Sequence, residues 1–172
     1  MEVYALKVTL LGTHPLVWRR FLAERDITLG QLHSTLQIVM GWTNSHLYQF
    51  VFSRRKQSAR ARLGDLLGSP GTKLLYEYDF GDGWQHELLL QEILVGDEAF
   101  QRTCVAGARS CPPEDCGGAY GFAELLGAFN DTSHPEHDSA REWLGKRFDP
   151  DYFSVTEINR KLRRRRSAGD RA

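Results

Sequence analysis

Two clusters in this 172-residue chain have the residue types and spacing that chemistry needs. The first is Tyr76 to His86, read Tyr-Glu-Tyr-Asp-Phe-Gly-Asp-Gly-Trp-Gln-His. A strand, a tight turn and a returning strand would set Asp79 and Asp82 on either side of the turn, with His86 close by. Paired carboxylates with a histidine can hold a divalent cation or move protons. Asp79, Asp82 and His86 are therefore the candidate catalytic set of a metal-dependent hydrolase or nuclease. The competing reading is a plain turn, in which Asp accepts local backbone bonds and Gly takes positive φ. Trp84 then acts as a packing anchor.

The second cluster is Cys104, Cys111 and Cys116, spaced C-x6-C-x4-C. Zinc is borderline soft and takes sulfur or imidazole in a tetrahedron. These thiols with His134 or His137 as the fourth ligand make a candidate zinc site, and His86 is a poorer fourth choice. Pro112-Pro113 would stiffen the loop, and Gly117-Gly118 would let backbone donors approach sulfur. Three inert buried thiols are the plainer alternative. A nucleophilic cysteine is disfavoured, because Glu114 and Asp115 between Cys111 and Cys116 oppose a thiolate.

A third feature is charge. Arg54, Arg55, Lys56, Arg60 and Arg62 form one basic patch, and residues 160–166, with Arg163 and Arg164, form another. Residues 1–159 hold 15 basic and 21 acidic residues, a net of −6, so an acidic body ends in a basic tail. Such patches suit nucleic acid or an acidic protein partner, and a solvated terminus is the bland alternative.

The elements that must position these residues are legible in outline. Tyr4, Leu6, Val8 and Leu10 alternate with Lys7 and Thr9, the period of a half-buried strand. Residues 16–22 read as a second strand, with Arg19-Arg20 expected on an exposed face. Thr28 and Gln31 have the capping-box pattern. Leu29, Leu32, Leu36, Val39 and Met40 then recur at helical spacing, and Gly41 can close the helix. His33 is expected at the boundary of its apolar stripe. The segment 46–52 is aromatic and β-branched, which favours a strand over the second helix of a DNA-reading motif. Strands are expected at 73–80 and 84–95. Helices are expected over 122–129 and from Pro135 through Leu144, and Thr156 can cap a last one from Glu157 into the tail.

The bulk numbers fit one domain, 1–159, followed by a basic tail, 160–172, expected to be disordered. The apolar share is 41% and the charged share 26%, ordinary for a globular protein. No apolar run reaches the roughly 20 residues of a membrane span. Met1-Glu2-Val3-Tyr4 lacks the pattern of a signal peptide, so a cytoplasmic location without membrane contact is expected. The fold class expected is α+β, a mostly antiparallel sheet with helices packed on one face and a Cys/Gly-rich loop at an edge.

Several stretches together resemble the plasmid pRiA4b ORF-3-like family. They are Pro15 to Arg20, Thr28-Leu29 with Leu32-His33, Met40-Gly41-Trp42 with His46-Leu47, Tyr78 to Asp82 with Trp84 and His86, and Cys111 to Gly118. His134 to His137 and Phe148-Asp149-Pro150 continue the resemblance, which spans roughly residues 4–162. It implies an α+β fold of bacterial and archaeal proteins, often encoded near plasmids and mobile elements, and carries no reaction with it. Some family members bear a resolvase-like label, yet no serine recombinase motif is visible. The expected function is therefore a zinc-stabilised binding or adaptor module, with the hydrolase at Asp79, Asp82 and His86 as its rival.

Overall fold

The computed structural model describes residues 1–169, with side chains to Arg164. Seven strands form a single sheet: β1 Glu2–Leu10, β2 Val17–Glu24, β3 Tyr48–Phe52, β4 Arg55–Lys56, β5 Lys73–Tyr78, β6 Trp84–Val95 and β7 Thr103–Ala108. The spatial order is β4-β3-β5-β6-β1-β2-β7, and every neighbouring pair is antiparallel. The helices are α1 Leu29–Met40, α2 Leu63–Leu66, α3 Gly118–Asn130, α4 His137–Leu144 and α5 Val155–Gly169. None of these is long and apolar enough to cross a membrane.

Alternation decides which face is packed. Tyr4, Leu6, Val8 and Leu10 of β1 are buried, as are Leu74, Tyr76 and Tyr78 of β5 and Trp84, His86, Leu88 and Leu90 of β6. Leu29, Leu32, Leu36, Val39 and Met40 of α1 join the same core, so one helical stripe closes over one sheet face. Each fully buried Leu contributes roughly 1.5–3 kcal/mol. The other face mixes half-buried apolar residues such as Leu75 and Leu89 with paired charges: Lys7 lies over the Trp18 ring at 5.1 Å, Arg20 meets Glu92 at 3.2 Å, and Lys73 meets Glu87 at 3.0 Å.

The capping box forms as read, with Thr28 Oγ1 accepting from Gln31 N and Gln31 Oε1 accepting from Thr28 N. Gly41 then closes α1 at φ 109°, where a glycine carries no Cβ penalty.

Several elements depart from the sequence expectation. Arg19 is buried, not exposed. Its guanidinium donates to the carbonyls of Val39, Trp18, Ala108 and Arg109 at 2.7–2.9 Å and stacks on Phe153. Burial lowers its pKa, yet its planar fork matches four carbonyls at once, which no apolar residue does. The start of the Cys loop is strand β7, a ladder partner for β2. Its short sequence, Thr-Cys-Val-Ala-Gly-Ala, has no apolar alternation and so gives no strand signal. Helix α5 starts at Val155 and is capped by Ser154, whose Oγ accepts from Glu157 N, and not by Thr156. The basic stretch expected to be disordered continues α5 to Gly169, and residues 170–172 lie outside the described residues.

Candidate metal centre

The chain gathers chemistry-bearing groups at the end of the sheet where β5 turns into β6. Three segments converge there. The turn after α1 delivers His46, the end of β5 delivers Asp79, and the loop after β7 delivers Glu114 and Asp115. His46 Nε2 stands 3.2 Å from Asp115 Oδ1, 3.5 Å from Asp79 Oδ2 and 3.7 Å from Glu114 Oε2. Among the described residues, His46, Asp79 and Asp115 are the one set of three His, Cys, Asp or Glu groups whose ligand atoms all lie within 4.8 Å of one another.

Local backbone explains how Asp79 reaches the site. A strand continued through Asp79 would aim its side chain at the opposite face from Tyr78. Asp79 instead takes φ 57°, a left-handed conformation that Asp tolerates, and its side chain turns inward. Asp115 has φ 57° as well. A hydrogen bond from Asp79 N to Leu47 O, 2.9 Å, ties the turn to the His46 segment.

Each inner carboxylate is held by one oxygen and leaves the other facing His46. Asp79 Oδ1 accepts from the backbone of Gly81 (3.0 Å) and Asp82 (3.3 Å). Glu114 Oε1 accepts from Thr43 N (2.8 Å), Thr43 Oγ1 (2.9 Å) and Tyr78 Oη (3.0 Å). Tyr78 Oη itself accepts from Ser45 N at 3.0 Å, so the phenol locks the carboxylate to the 42–46 segment. Burial pushes the Tyr78 phenol up to about 12, keeping it a neutral donor. Outer partners that orient inner ligands in this way are characteristic of metal sites.

The free atoms test whether a cation fits. His46 Nε2 and Glu114 Oε2 are both buried and have no hydrogen-bond partner. Buried polar atoms are almost always satisfied, and these two lie 3.7 Å apart, a separation that a third group between them could bridge. Two ligands each about 2.1 Å from one ion stand roughly 3.0–3.4 Å apart. The observed 3.2 Å falls in that range, and the spacings of 3.5 and 3.7 Å lie just beyond it. Three carboxylates around one imidazole also repel one another until a cation joins them. One nitrogen with carboxylate oxygens suits a first-row divalent ion such as Zn²⁺, Mn²⁺ or Fe²⁺. The site is lopsided in exposure. The Asp79 side chain is 8% exposed and that of Asp115 74%, so one side opens to solvent.

The residues singled out from sequence divide around this centre. Asp79 is in it. Asp82 is not: both its carboxylate oxygens accept from Gly117 N at 3.2 Å and tie the hairpin to the start of α3. His86 lies wholly inside the core. Its Nε2 accepts from Trp42 Nε1 and its Nδ1–H donates to Tyr76 O, both at 3.2 Å, so neither nitrogen is free. Burial pushes its pKa down to about 4, which keeps the ring neutral.

The structure does not bring the three thiols together with His134 and His137 as one ligand set. Cys104 sits in β7, its backbone paired with the Asn159 amide at 2.7 and 3.0 Å. Cys111 packs against the Gly41 turn, where a Cβ added to Gly41 would stand 3.3 Å from Cys111 Cβ. Cys116 lies under the N-terminus of α3. Burial raises all three thiols, Cys116 to about 12. His134 Nδ1 accepts from Glu136 N and His137 Nδ1 bonds Ala128 O, so both close the link between α3 and α4.

The basic groups are also separated. Arg54, Arg55, Lys56, Arg60 and Arg62 are exposed on and after the β3–β4 hairpin at one edge of the sheet. Arg163 and Arg164 belong to α5, which packs on β7 at the other edge. His46, Glu114 and Asp115 are the functional candidates that the sequence reading does not single out. The available signal is the Glu114-Asp115 pair inside the Cys loop, which the spacing presents only as a disfavour to thiolates.

The comparisons with known proteins agree with this architecture. A crystal structure titled as a protein of unknown function, MM3350 from Methanosarcina mazei Go1, superposes with a TM-score of 0.84 at 34% identity, covering 91% of this chain and 97% of that one. The protein named "Uncharacterized protein y4hQ" of Sinorhizobium fredii is 35% identical over 176 residues, 92% of this chain and 90% of that protein. The profile of the plasmid pRiA4b ORF-3-like protein matches residues 2–157, the sheet and all the helices but most of α5. With the profile, the relative and the fold in agreement over nearly the whole described chain, this protein belongs to the plasmid pRiA4b ORF-3-like family.

Proposed function

We propose that this protein is a divalent-metal-binding domain whose ion is held by His46 Nε2 and one oxygen each of Asp79, Glu114 and Asp115. The observation that carries the reading is the pair of buried atoms without a hydrogen bond, His46 Nε2 and Glu114 Oε2, 3.7 Å apart across the cluster. A bound ion would staple the α1–β3 turn, the β5–β6 hairpin and the loop after β7 into one unit. Its solvent side, next to Asp115, leaves room for water or a ligand oxygen. This keeps the stabilising metal expected from sequence but moves it from thiols to oxygen and nitrogen. It also keeps the hydrolytic alternative at Asp79, with His46 and Glu114 in place of His86 and Asp82.

The test is metal content of the purified protein, with calorimetric titration of chelator-treated protein by Zn²⁺, Mn²⁺ and Mg²⁺. About one ion per chain is expected. His46→Ala and Asp79→Asn should each weaken binding by at least about tenfold, the low end for loss of an orienting or ligating group. Equal binding in wild type and His46→Ala would remove the reading, as would no binding at all.

A second reading concerns the partner. Arg54, Arg55, Lys56, Arg60 and Arg62 are exposed, and among the described residues none of them forms an ion pair. That supports contact with nucleic-acid phosphates through the β3–β4 edge. Affinity for a DNA duplex should fall steeply as salt rises, and Arg54→Glu/Arg55→Glu should flatten the slope by roughly one to two contacts. Salt-independent binding, or none, would leave the basic edge as simple protection against strand pairing.

A further inference from the structure

Helices α3 and α4 lie side by side and enclose a groove of about 370 Å³. Its lining follows from helical spacing. Glu124, Leu125 and Ala128 share a face of α3, while Ala140 and Trp143 share a face of α4, in line with Glu136 just before that helix. The buried small residues Ala128 and Ala140 form the floor, and Leu125 and Trp143 form the walls. Glu124 and Glu136 supply the carboxylates, and both are exposed. Trp143 is 51% exposed, so much of its ring is uncovered.

Three features point to the same ligand chemistry. Among the described residues, neither Glu124 nor Glu136 forms an ion pair. The surrounding segment 118–147 carries Glu124, Asp131, Glu136, Asp138 and Glu142 against Arg141, Lys146 and Arg147, a net of −2, so its field is negative. Trp143 lines the groove half exposed, and an indole attracts cations through its quadrupole, Arg above all, because a guanidinium also stacks. The volume is at the lower end of ligand sites, roughly 300–1,000 Å³, the scale of one long side chain and its neighbours. An anion would be repelled by the two carboxylates, and an apolar partner would gain nothing from them.

We propose that the α3–α4 groove is a binding site for an arginine side chain of a basic peptide, with the guanidinium stacked on Trp143 and paired with Glu124 and Glu136. The site is separate from the metal cluster and stands whether or not that cluster binds an ion.

The test titrates the full-length protein with acetyl-Arg-Arg-Arg-amide at low ionic strength and follows tryptophan emission. The matching citrulline peptide, in which a neutral urea replaces each guanidinium, is the control. Saturable binding of the arginine peptide is expected, with no saturation by the citrulline peptide. Glu124→Gln/Glu136→Gln should weaken binding by about tenfold, equivalent to roughly 1.4 kcal/mol. Trp143→Leu should remove the emission signal. Asp97→Asn/Glu98→Gln, on the exposed segment after β6, should bind as wild type does. All these positions are exposed, and a melting curve verifies that each variant is folded. Equal loss in the two double variants would mean diffuse attraction to an acidic surface and would overturn the site. No saturation below about 1 mM, or equal binding of the citrulline peptide, would overturn it too.

Discussion

His86 illustrates how one residue's surroundings set its role. It occupies a motif that reads as catalytic, yet sheet alternation puts it on the packed face, where Trp42 and Tyr76 occupy both ring nitrogens. Its folded pKa is pushed down from 6.5 to about 4 by burial. An unfolded chain takes up a proton on this ring as pH falls through about 6.5, and the folded chain resists until about 4. The contribution to stability is therefore complete above about 6.5 and shrinks as pH drops towards 4, by up to roughly 3 kcal/mol. Urea unfolding of wild type and His86→Gln at pH 7 and pH 4.5 should show the difference. The glutamine amide can still accept from Trp42, so the variant should lose about 2–3 kcal/mol less than wild type between the two pH values. Parallel pH slopes would show that His86 does not titrate in this way.

At the scale of elements, the decisive contact is between the β5–β6 hairpin and the start of α3. Asp82 caps Gly117 N, and Gly118, at φ 70°, lets the helix approach so closely that an added Cβ would stand 2.3 Å from Asp82 O. No side chain fits there without moving backbone. Gly118→Ala should cost about 2 kcal/mol or more, since a left-handed conformation and a backbone clash are combined. Asp115 lies just upstream, so the shift should also displace it from His46 and weaken metal binding by at least about tenfold. Chemical denaturation and calorimetry measure the two effects separately. Gly118→Ala with unchanged metal affinity would mean that the Asp115 loop holds its place without α3.

Across the whole molecule, the proposed ion would link segments that the chain separates widely, His46, Asp79 and Asp115. Anything that binds the folded state alone stabilises it by mass action, by about 2.7 kcal/mol at a hundredfold excess over Kd. For a chain of this length that corresponds to a rise in Tm of roughly 5–10 °C. Thermal scans with added metal should show that rise, chelator should reverse it, and His46→Ala should show neither. A metal-independent Tm in wild type would place the stability of the three-segment junction wholly in its hydrogen bonds through Glu114, Tyr78 and Asp79.

Sequence by itself determined the elements governed by local rules. The β1 alternation, the α1 stripe with its capping box, the Gly41 stop and the β5–β6 hairpin all follow from periods and caps that act within a few residues. The family followed as well, because several motifs recur in order along the chain. Long-range pairing stayed hidden. Strand β7 has no alternation of its own and becomes a strand because β2 offers it a ladder. Arg19 looks like a surface cation and is buried because four carbonyls from three separate stretches meet at its guanidinium. The candidate metal cluster is the clearest case. Residue type and spacing favoured Asp79, Asp82 and His86, which are close in sequence. Tertiary structure kept Asp79, turned inward by its left-handed backbone, and joined it to His46 and Glu114-Asp115 from distant loops. A cation senses distance in space, and only the folding of three loops onto one sheet end brings those ligand atoms within its reach.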